Sequence, residues 1–330
     1  MCWGWLRVCA VHGAHCAKPE MRYDQDTMGL IDFHTHWFSR TYFETLAAQS
    51  PLAGTVDDKL AGIVAATGLE LPPADHEQHR ARWMRELDRH EVEHIVAFGS
   101  VPEETPIVAA AAAASAGRIS AMALVNPLVA GVPAKVDELL NKGAIKGVLL
   151  FPALHRYAID SEAARALYAV LDAHAAIAYV HCGLFVVKVR DLLGLPRSHD
   201  LALANPLHLV AAANGARRAT FVVPHFGAGF LRETLMAGAQ CQNIVVDTSS
   251  SNSWMDTQCP PVDLPTVYRS VLACFGPQRI LFGSDSNVFP AGWRADRAQA
   301  HRQALQAAGA DAGTQQAVFR ENARRLLKLS

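Results

Sequence analysis

From residue 29 onward, short apolar runs alternate with longer stretches in which apolar positions recur at helical spacing. The apolar runs fall at 30–36, 94–100, 119–127, 145–152, 176–183, 219–227, 243–250 and 279–286. Most are near-continuous rather than alternating, as parallel strands buried on both faces require. Helical stretches lie between them at 77–90, 104–117, 133–142, 161–174, 205–214, 229–240, 265–275 and 293–308, and a last one at about 313–328 closes the chain. The stretch at 104–117 is rich in Ala, the best helix former, and Ser161 followed by Glu162 supplies an N-cap with an early acid. Eight strand–helix units without a linker or repeat boundary predict a single closed (β/α)8 TIM barrel over residues 28–330. An open doubly wound sheet would carry a Gly-rich phosphate loop after its first strand, and none follows here.

Three connections are longer than turns, and all three follow a strand: 37–76, 184–204 and 251–264. In a barrel they sit at the C-terminal face, where they are expected to form a lid or substrate wall. Residues 1–27 break the pattern. They contain Cys2, Cys9 and Cys16 with His12 and His15, at spacings that match no zinc module, and are read as a disordered or mis-started leader before Met28. The late first charge, Arg7, and the two histidines argue against a signal peptide.

Composition narrows the class. Of 330 residues, 51% are hydrophobic and 18% charged, with a formal net charge of -1, which gives no electrostatic reason to bind nucleic acid or an anionic membrane. No apolar run reaches the roughly 18 residues of a membrane span. Seven cysteines, an odd number, suit reduced thiols in the cytoplasm rather than a disulfide framework.

The candidate chemistry lies at the strand ends. His34 and His36 close the first run two residues apart, so strand alternation turns them to one side, and imidazole is a good zinc ligand. By themselves they are ordinary strand-end residues. Three later runs end alike, with His181, His225 and Asp285. In a closed barrel the first and eighth strands are neighbours and the fifth and sixth lie across the mouth, so all five side chains can converge. Four N/O ligands in such a cup would bind one divalent ion and leave a position for water.

Ile31-Asp32-Phe33-His34-Thr35-His36, Val180-His181-Cys182-Gly183, Pro224-His225-Phe226-Gly227 and Ile280-Leu281-Phe282-Gly283-Ser284-Asp285 resemble the amidohydrolase superfamily, specifically the amidohydrolase-2 branch that includes aminocarboxymuconate-semialdehyde decarboxylases. Phe319-Arg320-Glu321-Asn322-Ala323-Arg324-Arg325-Leu326 is similar to the C-terminal signature of that branch. The resemblance implies that His34, His36, His181 and Asp285 ligate a single metal ion, Zn2+ before Mn2+ or Co2+, with His225 catalytic beside the metal-bound water. Two-metal relatives carry a bridging Lys or Glu at the end of the fourth strand. Leu149, Leu150 and Phe151 stand there instead, and Lys146 lies at the opposite end of the strand, so one ion per chain is expected.

Zinc lowers the pKa of bound water to about 7. With Asp285 as ligand and proton acceptor and His225 polarising an oxygen or moving the proton, the expected activity is hydrolysis of a small carboxylated amide, lactone or ester. The alternative is a carboxy-lyase of the decarboxylase branch, and the second alternative a metal-binding barrel without catalysis. An anionic substrate calls for an arginine at the mouth: Arg232 first, then Lys188 and Arg190 in the loop after the fifth strand. Trp37, Phe38 and Trp254 are candidates for the apolar wall of a ring, and equally for core packing of the long loops. Beyond the small-molecule substrate, the reading leaves room for a homodimer.

Overall fold

The computed structural model describes residues 29–249 and 252–329. Eight parallel strands follow one another in chain order around one sheet: β1 (Leu30–His36), β2 (Val92–Phe98), β3 (Ile119–Leu124), β4 (Gly147–Leu150), β5 (Ile177–Val180), β6 (Thr220–Val223), β7 (Ile244–Asp247) and β8 (Ile280–Leu281). The ring closes where the end of β1 meets the residues around and beyond the end of β8. Phe33 N donates to Phe282 O at 2.8 Å, Asp285 N to His34 O at 2.9 Å, and His36 N to Ser286 O at 2.8 Å. This is the expected (β/α)8 barrel.

Strand pleating divides the core in two. Val96, Phe98, Leu149, Tyr179, Val222 and Leu281 fill the barrel interior. Their neighbours in sequence, Ile95, Ala97, Val148, Leu150, Phe221 and Ile280, face the surrounding helices. Truncating a fully buried ring such as Phe98 would cost about 3–5 kcal/mol through lost burial and the cavity left behind.

β1 departs from simple alternation. Its register against β2 shifts between Asp32 and Thr35. Phe33 therefore belongs to the interior cluster, and the next residue, His34, also packs against the interior rings of Phe98 and Tyr179, at centroid distances of 4.9 and 5.4 Å. An irregularity of this kind re-aims a side chain at the cost of one ladder contact.

The connection after β1 is more ordered than its length suggests. It contains α1 (Arg40–Gln49) and α2 (Val56–Thr67), the latter opened by a reciprocal Thr55–Asp58 capping box and closed by Gly68 in the left-handed conformation. Tyr42, Phe43, Leu46, Leu60 and Ile63 from these helices form a separate small core with Leu193 and Leu195 of the connection after β5. Two of the three long insertions thus pack on each other. The third carries a short 3-10 turn, Asn252–Thr257. The expectations for residues 1–27 and Met28 fall outside the described residues. Cys182, Cys241, Cys259 and Cys274 are free thiols, and no described helix is long and apolar enough to cross a membrane.

Candidate metal centre

Three side-chain atoms from the β1–β8 seam form a nearly regular triangle. His34 Nε2 lies 3.4 Å from His36 Nε2 and 3.6 Å from Asp285 Oδ1, and His36 Nε2 lies 3.5 Å from the same oxygen. Ligands about 2.1 Å from a tetrahedral ion are about 3.4 Å apart, so the spacing fits one divalent ion. The ring nitrogens facing away fix the tautomers. His34 Nδ1 meets Asp247 Oδ2 at 2.8 Å, with Ser249 Oγ at 3.0 Å and Tyr179 OH at 3.1 Å, and His36 Nδ1 meets Ser100 Oγ at 2.9 Å. With the proton on Nδ1, both Nε2 lone pairs point at the triangle.

Electrostatics prepare the same set. Burial holds His34 and His36 below the ordinary imidazole range, so both are neutral at pH 7. Burial pushes the Asp285 carboxyl up, but His34, His225, His36 and Arg297 together hold it below its usual range. Of these only Arg297 keeps a full charge at neutral pH. Neutral imidazoles and an ionised carboxylate are the protonation states that metal binding requires.

The backbone is shaped around these groups. His225 and Asp285 both occupy the left-handed region, with φ of 55° and 58°, and Phe226 beside His225 does so too. Strain of this kind persists where the surrounding structure over-determines the conformation. Asp32 bridges the irregular part of β1: its carboxylate accepts from His34 N at 3.0 Å, Ser284 N at 2.9 Å and Trp293 Nε1 at 2.8 Å. At Gly283 a Cβ would come within 2.6 Å of His34 Cβ, so only glycine lets the chain beyond β8 approach this closely.

His225 lies beside the triangle. Its ring centroid is 5.0 Å from that of His34, its backbone N donates to Asp247 Oδ1 at 3.0 Å, and its Nδ1 lies 3.1 Å from Ser249 O. Nδ1–H donates to that carbonyl, which leaves Nε2 as the free nitrogen. His34, His225 and Asp247 form a second close group of ligand types. His181, expected as a ligand, joins neither group. Its ring stands 5.3 Å from His225 and packs against Phe151 and Phe185, at 5.2 and 5.0 Å.

Three of the expected substrate contacts lie elsewhere. Trp37 is fully buried against His79 and Trp83 on the helix side of the wall. Trp254 is buried in the same outer core. Arg232 is largely exposed and binds the adjacent Glu233 at 2.9 Å. Phe38 does stand at the site, stacked on His36 with centroids 5.0 Å apart.

Sequence reasoning missed Asp247 and Arg297. Asp247 ends β7 as Asp285 follows β8, and that strand-end position was the available signal. Burial pushes its carboxyl up to about 7. Arg297 sits on the helix Ala295–Ala307, 3.7 Å from Asp285 Oδ2, and donates to Ser284 O at 2.8 Å. No periodicity marks it. Two shallow surface hollows of about 450 Å3 each, one at Asn214, Arg217 and Gln240 and one at Leu71, Arg82 and Arg85, contain none of these residues.

Residues 31–329 match the family model described as Amidohydrolase. The chain belongs to the amidohydrolase family. Solved structures of the same fold include a 2,6-dihydroxybenzoate decarboxylase from Rhizobium, at 15% identity over 91% of this chain and 99% of that one, with a TM-score of 0.59. A 5-carboxyvanillate decarboxylase from Novosphingobium aromaticivorans, complexed with manganese and 4-hydroxy-3-methoxy-5-nitrobenzoic acid, is 15% identical over 91% of this chain and 96% of that one, with a TM-score of 0.60. A probable 2-pyrone-4,6-dicarboxylic acid hydrolase from Acinetobacter baumannii, with citric acid bound, is 14% identical over 92% and 100%, with a TM-score of 0.57. A sequence comparison with curated proteins finds no match.

Proposed function

We propose that this amidohydrolase-family barrel holds one divalent ion and removes a carboxylate as CO2 from a small, planar, conjugated acid. The observation that carries the reading is a ligand triangle of two neutral imidazoles and a carboxylate beside aromatic rings: Phe38 stacked on His36, and Phe151 and Phe185 packed on His181. Flat apolar rings accept a conjugated ring by stacked or edge contacts. The two decarboxylases of the same fold act on aromatic acids by their names, which supports this choice over the hydrolysis ranked first from sequence.

His34, His36 and Asp285 would hold the ion, with His181 as the fourth candidate. The imidazoles favour Zn2+, and the manganese of the carboxyvanillate decarboxylase makes Mn2+ the second choice. When bound, the ion would supply a Lewis acid that orients the substrate's oxygens and offsets their charge. The protein's residues do the rest. Loss of CO2 breaks a carbon–carbon bond and leaves its electron pair on the ring carbon, which then takes up a proton. His225 is our candidate to relay that proton, because the Ser249 carbonyl occupies Nδ1–H and leaves Nε2 to take a proton from water or a substrate hydroxyl and pass it to the carbon. Arg297, beside Asp285, keeps that carboxylate ionised.

Hydrolysis is the second reading, favoured by the same ionised Asp285, which can accept a proton from water. Assays on hydroxylated aromatic acids and on lactone and amide dicarboxylates, with Zn2+ or Mn2+ present, separate the two. CO2 release without a new acid group is expected. A new acid group without CO2 would overturn the lyase reading, and silence towards the whole panel with metal bound would favour a non-catalytic barrel.

A further inference from the structure

Behind His36 lies a carboxylate that no step of the proposed chemistry uses. Glu104 ends the short 3-10 turn Pro102–Glu104 after β2 and is fully buried. Three donors converge on it. Oε1 accepts from Ser39 N at 2.6 Å and from Ser39 Oγ at 2.7 Å, and Oε2 accepts from Ser100 N at 2.7 Å. A buried carboxylate is costly unless its oxygens are matched in this way. A carboxylate only accepts, whereas a glutamine here would turn an N–H against one of the three donors.

Both residues that Glu104 grips lead to the same imidazole. Ser100 Oγ accepts from His36 Nδ1 at 2.9 Å, and that bond leaves Nε2 to face the triangle. Ser39 follows Phe38, whose ring stacks on His36 with centroids 5.0 Å apart and planes 19° from parallel. Phe38 holds a φ of 35°, in the left-handed region that favours glycine. Such strain persists only where the surroundings over-determine it, and the next peptide N–H, that of Ser39, is bound by Glu104. Ser39 is also the N-cap residue of α1, yet its hydroxyl caps no helix N–H and goes to Glu104 instead.

We propose that Glu104 is a positioning residue for His36: one carboxylate sets the acceptor at Nδ1 through Ser100 and the stacked ring through Ser39 and Phe38. This rests on the reading of His36 as a metal ligand and deepens it, by naming what fixes the ligand's tautomer and tilt. The imidazole proton has a competing seat, because Asp285 Oδ1 lies 3.5 Å from His36 Nε2 and would accept from an Nε2–H. A ring in that tautomer turns its lone pair away from the triangle.

NMR of the metal-free full chain, isotope-labelled at histidine and with His36→Asn to assign the signal, reads the tautomer directly. Wild-type His36 is expected as Nδ1–H, and Glu104→Gln should shift it towards Nε2–H. Zn2+ affinity, from chelator competition, should fall roughly 10-fold in Ser100→Ala and at least as far in Glu104→Gln. In the double variant the second change should add no more than about twofold, because both act along one chain of bonds. Ser39→Ala, a milder change for the case that Glu104→Gln fails to fold, should move the tautomer in the same direction and cost about threefold in affinity. A tautomer unmoved in these variants, Zn2+ affinity within about twofold of wild type, or costs that multiply in the double variant would each overturn the proposal. A tautomer that shifts in a chain that takes up no Zn2+ would leave the role of Glu104 standing and sink the metal reading instead.

Discussion

The two sides of the barrel mouth are built differently. At the β1–β8 seam the polar atoms around the triangle are matched, although Thr35 Oγ1, between the two histidines, is not. Asp32 ties His34, Ser284 and Trp293 together, Asp247 and Ser249 hold His34 and His225, and Glu104 accepts from Ser39 and Ser100 behind His36. At the β4–β5 side, His181 is held by ring packing, and Arg190, His155 and His199 keep unmatched nitrogens. A fully satisfied network fixes geometry, which an ion demands. A side held by ring packing fixes geometry less tightly.

The largest effect should follow from damage to the seam. His34→Ala should reduce activity to background with loss of bound metal, whereas His181→Ala should lower metal affinity by roughly 10- to 100-fold and leave activity recoverable at high metal. Equal loss in both, unrescued by added Zn2+ or Mn2+, would make His181 as much a part of the seam's ligand set as His34.

Next comes His225→Asn. Metal content should stay near wild type while kcat falls at least ~100-fold, with a smaller change in KM, because the proton moves in the transition state. Loss of the ion in this variant would make His225 a ligand.

A smaller effect is expected at Asp247. Asp247→Asn keeps the shape but weakens the anchor of the His34 ring, so metal affinity should fall about 10- to 100-fold. Titration with a chromophoric chelator measures it.

The smallest effect concerns stability. Burial pushes the Glu104 carboxyl up to about 7 from 4.5. Its folded pKa lies above the unfolded value, so the native state binds the extra proton. Stability should therefore fall as pH rises from about 4.5 to 7, and Glu104→Gln should flatten that slope in the metal-free protein. Denaturant midpoints across that range read the difference, and an unchanged slope would remove Glu104 from the seam's electrostatics.

The barrel was legible because eight near-continuous apolar runs leave few other folds, and the ends of those runs pointed to His34, His36 and Asp285, which the fold brings together, with His225 beside them and His181 outside the ligand groups. What the runs do not carry is side-chain direction. Strict alternation would have turned either Phe33 or His34 out of the barrel, and the register shift at Asp32–Thr35 brings both inward. The same blindness misplaced Trp37, which follows a ligand in sequence but turns to the helix layer, and Trp254. Arg232 stands early in the helix Leu231–Gln240, yet its guanidinium points to Glu233 and solvent. Arg297 lay on a helix with no local mark, and only the closure of the ring brings it to Asp285. The 37–76 connection stood out by its length, but its helices α1 and α2 did not, because their core is shared with Leu193 and Leu195, far along the chain.

The most direct test is the metal content of the purified full-length chain and of Asp285→Asn, measured side by side by elemental analysis after dialysis against Zn2+ or Mn2+. The triangle, with no bridging residue at the end of β4, predicts one ion per wild-type chain and a variant that loses it on further dialysis. Two tightly held ions in the wild type, or an ion retained by Asp285→Asn, would contradict a single ion held by the β1–β8 seam.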